Sequence, residues 1–311
     1  MTSFNEREFL ISTAEYNKDF WNAMRGNRKA VEKIQGGRDM ITSGYTIPIN
    51  SEKKLQAAIG REGLFRNICT VVNAFNGDMS VYATDCEDYA DWVPEGGNIP
   101  IYDGINDFER YTIDCHKLDV FVKLDDDFIN DAAFSVEKYL TERLAKNFAR
   151  AEDRGFVTGD GIVAPTGILC SGKGAEIGVS TDNFCLDDVC RLFFSLKDEY
   201  RKNAVWLMND ETALDLRLAK DENGNYLWNH NNDTILGKPV YICNDMPSAE
   251  SGSMPIAFGD FRYYWIVLRR PVSVRTLKEK FITRDQVGYL AQEFLDGKLI
   301  RREAIHTLKI N

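Results

Sequence analysis

The chain has 311 residues, of which 44% are hydrophobic, and its formal net charge at pH 7 is −10. This length allows one large domain or two modest ones, each with a core of its own. The acidic balance, with no basic patch interleaved with aromatic residues, excludes a dedicated nucleic-acid-binding module because such a surface repels phosphates. No apolar run of about 18 residues and no basic-then-apolar N-terminus is present, so we predict neither a membrane span nor a secretory signal.

Residues 1–50 have the composition of an arm rather than of a compact domain. A helix is predicted within Glu6–Arg25, where apolar residues give a partial apolar face, and the two glycines at 36 and 37 break the basic segment that follows. Thr42–Asn50 is predicted to be extended. After the arm, Ser51–Gly60 reads as a short helix and Leu64–Val72 as the beginning of a strand.

Residues 73–117 read as a long projecting hairpin with a middle rich in turn formers. Apolar residues alternate on both of its arms, at Met79, Val81 and Ala83 on the way out and at Tyr111, Ile113 and Cys115 on the way back. The alternation then changes phase, to Leu118, Val120, Val122 and Leu124. Such a change is expected where a hairpin rejoins a packed sheet. An isolated two-stranded hairpin is marginal in water, so a partner surface is predicted to cover this one.

The strongest helix pattern follows Ser135. Apolar residues recur on one helical face, at Val136, Leu140, Leu144, Phe148 and Ala151. Ser135 is a good N-cap, and Gly155 or Gly159 can end the helix, which would be ~33 Å long at 1.5 Å per residue. A tight turn at residues 159–161 and a buried strand are predicted to follow.

Residues from about 175 to 273 alternate between helix and strand patterns. Leu186–Tyr200 is amphipathic, and Ala204–Met208 has the continuous apolar character of a buried strand. Asn209 or Asp210 is placed to cap a helix that reaches about Lys220. This rhythm predicts a separate α/β block.

The C-terminal part of the chain reads as strands. Val272–Leu277 and Val287–Ile310 have strand character, around a turn at residues 296–297. We expect these strands to return to the sheet beside the long helix. The domain that holds this helix would then be discontinuous in sequence, with the α/β block inserted into it.

The charge is distributed unevenly along the chain. Ten acidic residues and a single arginine lie between Asp78 and Asp114, whereas residues 261–311 contain eleven Lys or Arg and five Asp or Glu. A solvated acidic loop and a solvated basic sheet would explain this pattern without any function. A complementary contact between chains explains the opposite signs better, because opposite potentials steer and align partners.

No residue pattern predicts a catalytic, metal or cofactor site. The seven cysteines form no C-x-x-C pair and are predicted to be buried free thiols. His116, His230 and His306 are dispersed, and no serine lies in a G-x-S-x-G elbow. The three aspartates at 125–127 are predicted to cap a helix rather than to bind a metal. Buried acid pairs do not show in a sequence, so an enzyme of unrecognised class stays open as a remote alternative.

The long helix ends in A-x-E-D-x-x-F-x-x-G-D-G and leads to P-x-G-I-L, with Ala151, Glu152, Asp153, Phe156, Gly159, Asp160, Gly161, Pro165, Gly167, Ile168 and Leu169. This signature resembles the spine helix of the major capsid proteins of tailed phages of the Hong Kong 97 type. Motifs of the family's axial domain recur in order at Trp206, Met208, Asn209, Asp221, Gly224, Tyr226, Leu227, Leu236, Gly237, Pro239, Val240, Met246, Pro247, Gly259, Asp260 and Phe261. Gly44, Tyr45 and Pro48 match the lead-in from the family's arm, the run 90–96 its extended loop, and Glu303-Ala304 its terminal strand.

This resemblance implies an α+β fold of the Hong Kong 97 type. Its parts would be an N-terminal arm (1–50), a peripheral domain with a long spine helix, an extended β-hairpin loop (73–117) and an inserted axial α/β domain (175–273). The peripheral domain would comprise residues 51–72, 118–174 and the return strands 274–311. The implied function is that of a major capsid protein of a tailed phage or prophage, located in the virion and assembled in the cytoplasm of a bacterial host. Neighbouring subunits are expected to hold the arm.

The implied mechanism is assembly into an icosahedral shell through hexamers and pentamers. The shell would enclose double-stranded DNA without specific binding, with portal, scaffold or decoration proteins as further partners and no membrane contact. An encapsulin-like compartment around an enzyme cargo is the alternative on the same fold. In the type member of the family, a lysine cross-links each loop to a neighbour, but no lysine occurs from Gln56 to His116 here, so we expect a non-covalent shell.

The acidic hairpin is predicted to dock on basic segments of a neighbouring subunit. The candidate residues on the hairpin are Asp85, Glu87, Asp88, Asp91, Trp92 and Glu95. The candidate basic residues are Arg262, Arg269, Arg270, Arg275, Lys278, Lys280 and Arg284. No cofactor and no catalytic group is predicted.

Overall fold

The computed structural model describes residues 4–39, 41–74, 80–84, 93, 108–131, 134–182, 184–219, 228 and 234–311. All six hairpin candidates lie outside these ranges, as do most of the predicted loop, His230, and the axial-motif residues Asp221, Gly224, Tyr226 and Leu227.

The helices are α1 (Phe4–Ser12), α2 (Ala14–Met24), α3 (Arg28–Lys33), α4 (Ile49–Glu62), α5 (Phe65–Ile68), α6 (Asp126–Asn130), α7 (Val136–Thr158), α8 (Leu186–Ser195), α9 (Asp198–Arg201) and α10 (Asp210–Leu218).

The strands are β1 (Tyr45–Thr46), β2 (Thr70–Asn73), β3 (Ser80–Thr84), β4 (Phe108–Thr112), β5 (His116–Asp125), β6 (Glu176–Thr181), β7 (Val205–Met208), β8 (Thr234–Ile235), β9 (Lys238–Ile242), β10 (Ile256–Gly259), β11 (Tyr264–Leu277), β12 (Gln286–Leu299) and β13 (Ile305–Ile310). Short 3₁₀ turns lie at Ile34–Gly37, Phe261–Tyr263, Glu279–Arg284 and Arg302–Ala304. No helix in the described ranges is long and apolar enough to cross a membrane.

The spine helix α7 confirms the strongest prediction from the sequence. Its N-cap is Ser135, whose side chain accepts a hydrogen bond from the backbone N–H of Lys138, and it ends at Gly159. Its buried residues include Val136, Leu140, Leu144 and Phe148, with the spacing that the sequence predicts. At 23 residues the helix is ~35 Å long.

The first sheet packs against the spine helix. Its described strands run in the order β1-β11-β12-β5, and β2 pairs in parallel with β11. β5 alternates as predicted, with Val120, Val122 and Leu124 buried, and it joins the core formed by α7, α4 and the N-terminal helices. This sheet and the helices on it form the larger of the apolar cores.

The predicted arm packs on its own chain. The predicted single helix is two, α1 and α2, because the Thr13 side chain accepts from the backbone N–H of Tyr16 and caps a second helix. Phe20 and Ile34 are fully buried in the first core, and the Tyr16 hydroxyl donates to the carbonyl oxygen of Thr46 at 2.8 Å. The described part of the arm therefore gains its order from intramolecular burial, which sequence composition did not reveal.

A prediction for residues 64–72 is wrong in its first half. Phe65–Ile68 form the short helix α5, and the strand begins only at Thr70. The carboxylate of Asp153 on α7 accepts from the backbone N–H groups of Leu64 and Phe65, at 2.9 and 3.1 Å. This contact with a distant helix caps the first turn of α5, and nothing local signals it.

The second sheet corrects the predicted return of the C-terminal strands. Its described strands run in the order β6-β13-β10-β7-β9-β8, so the last strand, β13, lies here and not beside the spine helix. Conversely, residues 264–273 belong to β11 in the first sheet rather than to the inserted block. β10 is wholly buried, and β13 is buried except at His306 and Lys309, which are partly buried. The side-chain pattern of such a strand carries no signal of which sheet it joins.

The two sheets meet at a shared aromatic core. Phe65, Phe156, Phe261 and Tyr264 cluster there, with ring centroids of Phe156 and Tyr264 5.6 Å apart. The Tyr264 hydroxyl donates to the carbonyl oxygen of Thr166 at 2.8 Å, so its polar atom is satisfied although the ring is buried. This core joins the end of the spine helix to both sheets.

Candidate assembly surfaces

Four of the seven basic candidates lie together where β11 turns into β12. Arg275, Lys278, Lys280 and Arg284 are exposed, and none of them forms an ion pair with another described residue. Lys123 on β5 joins them, because its ammonium and that of Lys280 each lie 5.8 Å from the ring centroid of Phe281. We call these five residues the basic end. Lys123 lies far from the others in sequence, so charge counting along the chain missed it.

The other three basic candidates contribute to the fold of their own subunit. Arg262 forms an ion pair with the buried carboxylate of Asp260 at 2.6 Å. Arg270 lies 3.9 Å from Asp39, which ties β11 to the N-terminal segment, and it also covers the ring of Phe294. Arg269 is partly buried and has interactions within the chain. These three side chains are less available to a neighbour than the basic end.

The base of the predicted hairpin is anchored to the end of β12. β3 and β4 pair antiparallel from Ser80↔Thr112 to Thr84↔Phe108. The Tyr111 hydroxyl donates to the carbonyl oxygen of Ile300 at 2.6 Å, and the Lys298 ammonium donates to that of Thr112 at 2.6 Å. The hairpin therefore leaves the first sheet from a fixed root.

One group of side chains near this root could offer ligands to a metal ion. Ligand atoms of Asp114, His116 and Asp296 lie within 4.8 Å of one another. The Lys298 ammonium, however, lies 2.9 Å from Asp114 and 4.0 Å from Asp296, and its contact holds the pKa of Asp114 below the usual range. Because the Lys298 ammonium already lies close to the carboxylates of Asp114 and Asp296, we interpret the group as an ion-pair network that holds the base of the hairpin.

The turn after the spine helix is rigid and exposes two apolar side chains. The Asp160 carboxylate accepts from the backbone N–H groups of Ile162, Val163 and Ala164 at 2.9, 3.0 and 3.2 Å, which lowers its pKa. Gly161 has a φ of +69°, which favours glycine. Ile162 and Val163 are 79% and 81% exposed. Apolar side chains held in water by a well-bonded turn are typical of a contact with a partner.

The second sheet exposes apolar side chains at both of its edges. Ile177 lies on the edge strand β6, and Phe194 lies on α8, which packs on β6 and β13. Tyr241 and Ile242 lie on β9, next to the opposite edge strand β8, and Leu236 directly follows β8. The sheet thus presents two different apolar surfaces at opposite ends.

The prediction of buried thiols is wrong for most of the cysteines. The six described cysteines are free, but only Cys243 is buried, while Cys115 and Cys185 are exposed. Burial raises the pKa of Cys243 to about 11. Composition predicts the absence of a disulfide framework, but the exposure of each thiol depends on the tertiary packing around it.

One described group brings a serine, a histidine and a glutamate close together. Ser195 Oγ lies 2.8 Å from His306 Nδ1, and His306 Nε2 lies 3.9 Å from the Glu176 carboxylate. The Ser195 hydroxyl lies 2.8 Å from both the carbonyl oxygen of Leu192 and His306 Nδ1, and which of them receives its single proton depends on the tautomer of His306. Burial lowers the pKa of His306. At 3.9 Å the Glu176 carboxylate is beyond hydrogen-bond distance of Nε2, so it does not orient the ring as the acid of a catalytic triad does.

Comparison with known proteins identifies the family. The family model described as "Phage capsid family" matches residues 43–310. The chain belongs to the phage capsid family. The capsid of a native GTA particle, a solved structure, is 31% identical with a TM-score of 0.63, and the match covers 79% of this chain and 89% of that one. The capsid of an empty GTA particle is 30% identical with a TM-score of 0.65, over the same shares of the two chains.

Other solved structures agree on the fold of this phage capsid protein. The structure titled "Gordonia phage Cozz" is 13% identical with a TM-score of 0.56, and the match covers 80% of this chain and 87% of that one. No curated protein matches the sequence. The resemblance read from the motifs and the Hong Kong 97-type α+β fold are thereby confirmed. The chain is a major capsid protein of a tailed phage or prophage, which is a structural protein.

Proposed function

We propose that this capsid protein assembles through hexamers and pentamers into an icosahedral shell that encloses double-stranded DNA. The observation that carries the proposal is the pair of unlike apolar surfaces at the two edges of the second sheet. Two different surfaces on one subunit make a heterologous contact, which repeats head to tail and closes into a ring when the rotation allows it. Rings of five and six subunits are the units that close an icosahedral shell.

The acidic hairpin supplies the second contact of the proposal. Asp85, Glu87, Asp88, Asp91, Trp92 and Glu95 would dock on the basic end of a neighbouring subunit. The support is charge complementarity: no residue of the basic end forms an ion pair with a described acid, and ten of the eleven charged residues from Asp78 to Asp114 are acidic. Opposite charges at a subunit contact fix its register and accelerate encounter more than they add affinity.

The wall of the shell would let packed DNA slide rather than bind it. The chain as a whole carries a net charge of −10, which repels phosphates. Portal, scaffold and decoration proteins remain partners that membership of the family suggests. Assembly in the cytoplasm of a bacterial host is part of the same proposal.

Electron microscopy of the purified protein, with light scattering alongside, tests the shell. Closed angular particles, or rings of five or six subunits, are the expected result. DNA inside the particles would support a virion, whereas an enzyme cargo would support an encapsulin-like compartment instead. A protein that stays monomeric at every concentration and ionic strength would contradict assembly by this chain alone.

Charge reversal tests the contact between the hairpin and the basic end. Changing Asp88, Asp91 and Glu95 together to Lys is expected to block assembly without unfolding the subunit, because like charges then meet at the contact. Changing Lys278, Lys280 and Arg284 together to Glu should block it equally. The readout is the fraction of protein in particles by sedimentation, with circular dichroism to confirm the fold.

The decisive variant carries both sets of changes. If the two surfaces meet, the sextuple variant restores complementary charges and regains particles that neither triple variant forms. A matched control reverses the exposed residues Arg28, Lys29 and Lys202 and is expected to assemble normally. Normal particles from either triple variant, or no rescue in the sextuple one, would refute this contact while leaving the shell proposal intact.

A further inference from the structure

A cluster of charged side chains lies buried between the spine helix and the first sheet. Arg66 from α5 donates through Nε and Nη2 to the two carboxylate oxygens of Glu152, at 2.7 and 2.6 Å. The same Nη2 donates to Glu293 Oε1 on β12 at 3.0 Å. Side chains of Arg66, Glu152 and Glu293 are only 6%, 1% and 1% exposed. Two carboxyl groups therefore converge on one guanidinium nitrogen out of contact with water.

The charges of this cluster do not balance. Glu52 on α4 adds a third carboxyl group, which faces Glu293 and accepts from the backbone N–H of Val272 on β11 at 3.3 Å. Gln56 on α4 is the neutral member, hydrogen-bonded to Arg66 and, at 3.3 Å, to Glu293. Arg66 thus pairs with two of the three carboxyl groups, and the half-buried Glu52 forms no ion pair with another described residue. Buried charge without a counter-ion is strongly unfavourable.

The charged groups facing the cluster come from each element packed on it. They are Glu52 from α4, Arg66 from α5, Glu152 and Asp153 from α7, and Glu293 from β12. Asp153 is held by two backbone N–H groups of α5 and lies near Arg66, so it adds negative charge. Apart from Arg66, no described Lys, Arg or His forms an ion pair with Glu52, Glu152, Asp153 or Glu293.

One carboxylate oxygen supports the presence of a proton. Glu293 Oε2 is buried and has no hydrogen-bond donor among the described residues. A proton shared between carboxyl groups would supply that donor and remove one negative charge at the same time. Burial and the neighbouring Glu293 raise the pKa of Glu152 to about 8, and burial raises that of Glu52 to about 7.

We propose that Glu52, Arg66, Glu152 and Glu293 form a proton-linked latch, in which the folded subunit holds at least one proton among the three carboxyl groups at neutral pH. Loss of this proton as the pH rises weakens the junction of α4, α5, the spine helix and β12. Arg66 lies just before β2, the strand that leads towards the hairpin. The latch therefore fixes the segment from which the hairpin departs.

The direction of the pH effect follows from the proton balance. Unfolded glutamates release their protons near pH 4.5, whereas the latch keeps its proton up to about pH 8. Between these values the folded chain binds more protons than the unfolded one, so the contribution of the latch to stability falls as the pH rises. One proton corresponds to at most a tenfold change in the unfolding equilibrium constant per pH unit.

Glu152→Gln tests the latch, since glutamine imitates the protonated acid. We would measure denaturant unfolding of the full chain from pH 5 to pH 8.5 for the wild type, for Glu152→Gln, and for the control Glu142→Gln on the exposed face of the same helix. Relative to Glu152→Gln, the wild type is expected to lose stability as the pH rises, by up to tenfold in the equilibrium constant per pH unit. Glu142→Gln should follow the wild type. Parallel profiles for wild type and Glu152→Gln would overturn the proposal.

An infrared measurement keeps the test independent of how the variant folds. The wild type at pH 7 is expected to show the C=O stretch of a protonated carboxylic acid, which fades as the pH is raised past 8. Glu293→Gln is a second variant that should weaken this band. A wild-type protein without such a band at pH 7 holds no carboxylic acid proton, and the latch is then refuted.

Discussion

Phe156→Ala is expected to lower the free energy of unfolding by about 3–5 kcal/mol. Phe156 is fully buried at the end of the spine helix, with its ring centroid 5.7 Å from Phe65 and 5.6 Å from Tyr264. Truncation would leave a cavity where both sheets and the helix meet, and three separate elements would have to collapse together to fill it. The site therefore relaxes little, which places the expected loss in the upper part of the range for core substitutions.

Guanidinium unfolding, followed by circular dichroism and tryptophan fluorescence, measures this loss. The matched control is Phe9→Ala on α1, because Phe9 is 75% exposed and its replacement should change stability by no more than about 0.5 kcal/mol. If the two variants lost similar amounts, or if Phe156→Ala lost less than about 1 kcal/mol, the aromatic core would not be the junction described above.

Arg66→Met is expected to cost about 3–5 kcal/mol at pH 7 and above. Methionine fills much of the space of the arginine stem but leaves the buried carboxylates of Glu152 and Glu293 without a cation. The loss should shrink as the pH falls, because the carboxyl groups then become neutral and no longer need the guanidinium. At high pH the variant should be the least stable of the set.

The control for Arg66→Met is Arg143→Met, which makes the same change at an exposed position of the spine helix. It is expected to change stability by no more than about 0.5 kcal/mol. A double variant, Arg66→Met with Glu152→Gln, should recover part of the stability because it removes one of the uncompensated charges. Equal losses for Arg66→Met and Arg143→Met at pH 8 would show that Arg66 does not neutralise a buried charge.

Several helices and strands were predicted correctly because their signals are local. The spine helix was predicted because apolar residues between Ser135 and Gly159 recur on one helical face. Ser135 and Gly159 are its N-cap and C-cap. Asn209 caps α10 as predicted, with its side chain accepting from the backbone N–H of Thr212 at 2.7 Å. The phase change into β5 likewise follows from alternation along a few residues.

The candidate residues of the subunit contact stay predictions, and the structure shows which of the basic ones have partners within the chain. Counting charges along the chain identified Arg275, Lys278, Lys280 and Arg284, which the fold exposes, but it also included Arg262 and Arg270, which pair with acids of their own subunit. Whether an arginine is free depends on which acid the fold brings next to it. Asp260, the partner of Arg262, lies two residues away in the sequence, whereas Asp39, the partner of Arg270, lies in the N-terminal segment.

The family and the spine helix follow from the amino-acid sequence alone, because ordered motifs and helical periodicity are local properties of the chain. The packing of distant segments places β13 in the second sheet and the N-terminal helices in the first core. The same packing brings Arg66 next to Glu152 and Glu293, which lie 86 and 227 residues away in the sequence. Helix periods and caps act within about four residues, whereas strand partners and buried charges depend on contacts between distant segments that no local pattern encodes.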